Sequence, residues 1–158
     1  MNELLKITIE KVKEDFISEP DSIIYGELND GNKSICSNED PLKEYFDFLR
    51  ICDGARFGAI DLWSYGELPL HQTRISDFSG GPEKWIEVGQ ILYEPLVIEK
   101  ESGFVYCFYQ GHPAKIGQTL GEFDCFMLNY VFGKKYKELI PESHLDDWYQ
   151  YLERVGLA

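Results

Sequence analysis

Between Pro41 and Trp63 the chain reads PLKEYFDFLRICDGARFGAIDLW. Little freedom remains in such a stretch. Asp40 followed by Pro41 predicts a helix start, because Asp accepts from free backbone N–H groups and Pro fits the first helical position. Leu42, Tyr45, Phe46, Leu49 and Cys52 recur at spacings of three and four, with Lys43, Glu44, Asp47 and Arg50 on the opposite face. Gly54 falls where the helix must stop. Gly58 loosens the chain again, and Phe57, Ala59 and Ile60 to Trp63 predict a strand. A helix packed on a sheet follows, and the stripe from Tyr45 to Cys52 is expected to be core.

At 158 residues the chain is expected to be one domain, 1–158. A domain of this size buries roughly 70% of its unfolded surface, enough for an independent core. No apolar run reaches the roughly 18 residues that a membrane helix needs. The opening MNELLKITIEKVKEDF is amphipathic and lacks the basic start and apolar centre of a signal peptide. A cytoplasmic protein without membrane contact is the expectation.

The chain carries 28 acids against 15 bases, a formal net charge of −13. The acids are spread along its length, so it is an acidic globule and not a neutral domain with a tail. Direct nucleic-acid binding is disfavoured, since phosphate contacts need clustered Lys and Arg. Such a charge serves solubility by itself; it also steers a basic partner.

Residues 3–17 predict an opening helix with Leu5, Ile9, Val12 and Phe16 as its stripe, ended by Pro20. Ile23 to Leu28 predicts a strand that returns through an Asp30-Gly31 turn to Ser34–Cys36. Trp85 to Gly89 predicts a short strand. Leu92 to Glu99 and Phe104 to Tyr109 predict a hairpin about Glu101-Ser102-Gly103, with Pro95 placing the first partner at an edge or at its own beginning. Thr119 to Glu122 has the form of a capping box. It leads into a helix with Phe123, Phe126, Met127, Tyr130 and Val131 on one face, stopped at Gly133. A last helix begins near Pro141 to Ser143, with Leu145, Trp148, Tyr149, Leu152 and Val155 as its face and Gly156 as its end. The expected fold is α+β: a central, mostly antiparallel sheet of about six strands with N-terminal and C-terminal helices packed on it.

Chemistry needs a constellation, and none is evident. There is no G-x-S-x-G elbow, no phosphate loop and no H-x-E with P-C-x-x-C pattern. Cys36, Cys52, Cys107 and Cys125 form no short-spaced pair, and His71, His112 and His144 are scattered, so no metal or cofactor is expected. Cys52, Cys107 and Cys125 read as small buried hydrophobes. The unusual feature is ten Phe, ten Tyr and three Trp. Most belong in a core, but Asp61-Leu62-Trp63-Ser64-Tyr65-Gly66-Glu67 mixes acids with aromatics at the end of a strand. Asp61, Trp63, Tyr65 and Glu67 are therefore the candidate partner-binding residues. Packing of both rings in the core is the competing reading.

The order of these elements resembles the SUKH superfamily, a group dominated by bacterial immunity proteins. The helix with Tyr45, Phe46 and Phe48-Leu49 resembles the family's first core helix, and Asp53-Gly54 with Phe57-Gly58 its entry to the sheet. Trp85-Ile86-Glu87-Val88-Gly89 resembles its tryptophan–glycine strand. Pro95-Leu96-Val97-Ile98 and Ser102-Gly103-Phe104-Val105-Tyr106 resemble its central hairpin, and Phe123 through Gly133 with Tyr136 its C-terminal helix. The resemblance spans about residues 41–136. It implies an α+β fold without catalysis, and a protein that neutralises a cognate toxin, often a nuclease, by binding it directly. A basic toxin domain is then the implied partner. A scaffold or regulatory module of the same fold, with no toxin, is the alternative.

Overall fold

A computed structural model describes residues 1–19, 26–36, 40–108 and 119–158. Its frame is one antiparallel sheet of seven strands in the order β1-β2-β3-β4-β5-β6-β7. The strands are β1 (Gly26–Leu28), β2 (Ala55–Phe57), β3 (Ile60–Leu62), β4 (Trp85–Ile91), β5 (Glu94–Glu99), β6 (Phe104–Cys107) and β7 (Thr119–Glu122). Every strand pairs with its neighbour in sequence, so the sheet is a meander. Its inner face carries the main core. Helices α1 (Glu3–Ser18) and α2 (Lys43–Leu49) pack there. The outer face is half covered by residues 64–84, which include α3 (Leu68–His71) and α4 (Gly81–Lys84).

Periodicity locates α1 and α2. Leu5, Ile9 and Val12 of α1 are fully buried, as are Phe48 and Leu49 of α2. After β7 the chain runs through α5 (Phe123–Phe126) into a π-helical turn, Met127–Val131. Two short helices follow, α6 (Tyr136–Leu139) and α7 (Asp147–Val155). Phe57, Phe132 and Trp148 meet at centroid separations of 5.1 to 5.9 Å, joining β2 to the C-terminal helices. The Trp148 indole N–H donates to the Val131 carbonyl at 2.8 Å, so the ring is buried without an orphaned donor.

Several local expectations are overridden. The helix after Pro41 begins at Lys43, and no side chain caps it. The strand expected across Phe57–Trp63 is two strands, because Gly58 and Ala59 form a two-residue hairpin loop. Ser34–Cys36 is not a strand; β1 pairs instead with β2. Thr119–Glu122 is no capping box but the last strand, paired with Phe104–Tyr106. Long-range ladder bonds win over a cap because they satisfy more backbone groups at once. Leu92 and Tyr93, expected at the start of a strand, form the turn before it. Leu145, expected on the buried face of the last helix, lies before α7 and is 67% exposed. Cys125 is exposed, while burial pushes the Cys52 and Cys107 thiols up to about 12. Pro20, Ile23–Tyr25, Tyr109 and His112 lie outside the described residues.

Pro95 sits in an interior strand, between β4 and β6. Its carbonyl accepts from Phe108 N at 3.1 Å. N–H and C=O of one residue point to the same side of an antiparallel ladder, so the missing donor falls towards the frayed end of β6 and spares the β4 ladder.

Two polar nodes fix the layers. On the inner side the Tyr136 hydroxyl donates to Asp146 Oδ2 at 2.8 Å and accepts from Ala59 N at 3.0 Å. Asp146 also caps α7, accepting from Trp148 N at 2.8 Å. Gly58 has φ +61°, and a Cβ there would lie 2.4 Å from the Tyr136 oxygen. On the outer side Glu87 is fully buried and pairs with Arg74, whose Nε lies 3.1 Å from Oε1. Gln72 accepts from Glu87 N at 3.0 Å and donates to Glu87 O at 2.9 Å. A β-bulge follows immediately, between Glu87 and Gly89. The extra residue shifts the phase of β4, so that Val88 and Ile91 both face the inner core while Gln90 faces out. A Cβ at Gly89 would lie 2.1 Å from the Asp61 carbonyl oxygen, so the bulge admits only glycine there.

Tyr136→Phe leaves the Ala59 amide without its acceptor and Asp146 Oδ2 without the hydroxyl, while Oδ1 still caps α7. It is expected to destabilise the fold by about 1–3 kcal/mol in urea unfolding. Asp124 is buried with Oδ1 unpartnered, and burial, its leading cause, holds its carboxyl above the usual range. A raised folded pKa means the charge opposes folding, and this cost grows as pH rises through the ordinary carboxylate range to the raised value. Asp124→Asn is therefore expected to be more stable than wild type at neutral pH, with the gap closing in thermal melts towards pH 3.

Candidate protein-binding surface

The open half of the outer sheet face carries a polar row. Registered pairs place Glu27 beside Arg56, Arg56 beside Asp61 and Asp61 beside Gln90. Alternation explains the row, because Phe57, Ile60 and Leu62 turn inward and their neighbours must turn out. Asp61 accepts from Arg56 Nε at 2.8 Å and from Gln90 Nε2 at 2.9 Å. An exposed pair of this kind contributes roughly 0.2–1 kcal/mol and chiefly orients both side chains.

Beyond β3 the chain turns sharply. Glu67 Oε2 accepts from Ser64 N at 3.0 Å and from Ser64 Oγ at 2.7 Å. Those two bonds, the hydroxyl's first, hold the Glu67 carboxyl below its usual range, so it is ionised at neutral pH. Asp53 Oδ1 accepts from Tyr65 N at 2.6 Å, and its Oδ2 accepts from Asn32 at 3.1 Å. The Tyr65 ring is 45% exposed and leans edge-on against Phe46 at 6.3 Å.

Trp63 is neither free nor core. Its ring is half-buried and stacks on His71, centroids 4.0 Å apart and planes 8° apart. Its Nε1 is shielded from solvent without a hydrogen-bond partner.

Asp61, Trp63 and Glu67 line one groove of about 250 Å³, together with Glu27 and Arg56. Tyr65 is not among its lining residues, although the same turn carries it. Glu27 and Arg56 are charged groove residues that sequence reasoning missed, as it missed His71 against Trp63. Arg56 would have followed from reading Gly58 as a hairpin turn, which sets Arg56 opposite Asp61. The stacking of His71 on Trp63 has no signal in the sequence.

His71 does not line the groove that Asp61 lines. Among the described residues no three His, Cys, Asp or Glu side chains cluster as metal ligands would. No helix among them is long and apolar enough to cross a membrane. The groove offers carboxylates and an aromatic ring, a make-up suited to recognising cationic groups. No family model matches the chain, and no curated protein is similar to it at a significant level.

Trp63→Phe keeps a ring over His71 and removes the orphaned N–H. It is expected to melt at or slightly above the wild-type temperature. Trp63→Ala loses the stack and is expected to cost roughly 2 kcal/mol, since the ring is only half-buried.

Proposed function

We propose that this chain is a non-catalytic immunity protein, one that neutralises a cognate bacterial toxin by binding it through an acidic surface. The observation that carries the reading is the groove on the outer sheet face. Asp61, Trp63 and Glu67, set apart by their chemistry, line it together, with Glu27 beside them. The resemblance of residues 41–136 to the SUKH superfamily supplies the class of partner. A nuclease toxin must attract phosphate, so its cleft is basic. A protein of net charge −13 approaches such a cleft along a favourable field. Association is then fast, and binding in the cleft excludes the nucleic acid. Cytoplasmic action fits the same reading, because a nuclease does its damage there.

The test is co-expression with the protein encoded beside this gene. Growth is expected to be rescued by the wild-type chain. The association rate of the purified pair is expected to fall about tenfold between 50 and 500 mM salt, as screening shortens the Debye length. A salt-independent rate would overturn electrostatic steering. Binding without rescue would move the protein to the scaffold or regulatory class, and no binding would end the immunity reading.

A further inference from the structure

Three backbone segments converge at the end of the sheet remote from Trp63: the Gly58–Ala59 turn, the β4–β5 turn and the loop before α7. In the β4–β5 turn both loop residues have positive φ, Leu92 at 50° and Tyr93 at 73°. That turn shape favours Asn-Gly, because a Cβ is crowded at both positions. Here it carries two large side chains, and both are outside, Leu92 44% exposed and Tyr93 78% exposed. Across from them Glu142 also has positive φ, at 56°, and Leu145 stands 67% exposed. These are the three non-glycine residues with positive φ among those described, and all lie at this end.

Surrounding bonds hold the turn in its unfavourable shape. Leu92 N donates to Ala59 O at 3.0 Å, and Arg74 Nη1 donates to Tyr93 O at 2.8 Å. Strain kept in place by its surroundings clusters where side chains must be presented in a set direction. A hollow of about 390 Å³ lies between Leu92 and Leu145, floored by Ala59 and Ile140. A second, of about 290 Å³, adjoins it along Gly58, Ala59 and Leu92, and reaches Tyr93 and Asp61.

The charge at the rim selects the occupant. Glu142 and Asp147 line the larger hollow, no basic residue does, and neither acid joins an ion pair among the described residues. The one base at the smaller hollow, Arg56, is paired with Asp61. A second copy of this chain would set one acidic rim against another at a net charge of −13 each. A cationic partner gains at both points.

We propose that this end of the sheet is a docking surface for a basic protein segment. A Leu or aromatic side chain of the partner enters the hollow between Leu92 and Leu145. Its flanking Lys or Arg side chains meet Glu142 and Asp147, and Tyr93 covers the contact from the side. The inference rests on the reading above that the protein acts by binding a basic protein, and it adds a second contact to the groove lined by Asp61, Trp63 and Glu67.

The probe is a library of random 12-residue peptides displayed on phage and selected against the immobilised wild-type protein. Enriched peptides are then synthesised and their affinities measured by fluorescence anisotropy. Enrichment of Lys and Arg beside Leu, Phe or Trp is expected. Affinity is expected to fall tenfold or more in Leu92→Asn/Tyr93→Gly and in Leu145→Ser. It is expected to change less than twofold in Ile17→Ser, which alters a still more exposed apolar side chain on α1. The double variant supplies the residues this turn shape favours, so it is expected to melt higher than wild type while binding worse. If it melts lower, Leu145→Ser alone decides. Failure to enrich basic peptides, or enriched peptides that bind the variants as tightly as wild type, overturns the proposal. So does a wild-type dimer in sedimentation that Tyr93→Ser dissolves, which would give the surface to a second copy. The selection needs no toxin, so it fails or succeeds separately from rescue of growth.

Discussion

The contact between Tyr136 and Asp146 holds the molecule's two halves in register. One phenol oxygen meets the loop of the β2–β3 hairpin and the residue that caps the final helix. Around it, Phe57, Phe132 and Trp148 fill the space between sheet and helices. The absence of a side chain at position 58 lets the phenol approach. Apolar burial supplies most of the driving force for such a core, but it is non-directional. The hydroxyl and the carboxylate define one angle at which the C-terminal helices settle on the sheet, and so define the loop from Ile140 to Asp147.

A second node organises the opposite face. Glu87 lies under the segment that crosses the outer sheet, and Arg74 reaches over it from that segment. A buried carboxylate without its partner is severely penalised, so the pair specifies one placement for residues 64–84. Ile75 and Phe78 of that segment form a small separate core with Trp85, Val97 and Phe108. The bulge after Glu87 then restores the inward phase of β4 for Ile91. Half of the outer face is thereby closed, and the row from Glu27 to Gln90 is left open to solvent.

Elements whose information is local were legible in the sequence. The stripes of α1, α2 and α7 follow from apolar spacing, and the β5–β6 hairpin from its glycine turn. Elements decided at a distance were not. Thr119 to Glu122 has the composition of a cap, yet it becomes a strand because Phe104–Tyr106 lies free to pair with it. Leu92-Tyr93 gives no turn signal, since the residues that normally mark such a turn are absent. Glu87 reads as a solvent-facing strand residue, and only Arg74, thirteen positions away, makes it core. At the candidate site the residue types were legible and their pairings were not. Asp61, Trp63 and Glu67 announce themselves as acids and an aromatic, while Arg56 and His71 depend on register and loop path.

The main chain of the β4–β5 turn is anchored through its own amide and carbonyl groups, to Ala59 on one side and to Arg74 on the other. Neither anchor involves the side chain of Leu92 or Tyr93. Both anchors therefore survive a change of side chain, although each replacement must still accept a positive φ. The outline of the surface at this end of the sheet can thus change by substitution while the course of the main chain beneath it does not.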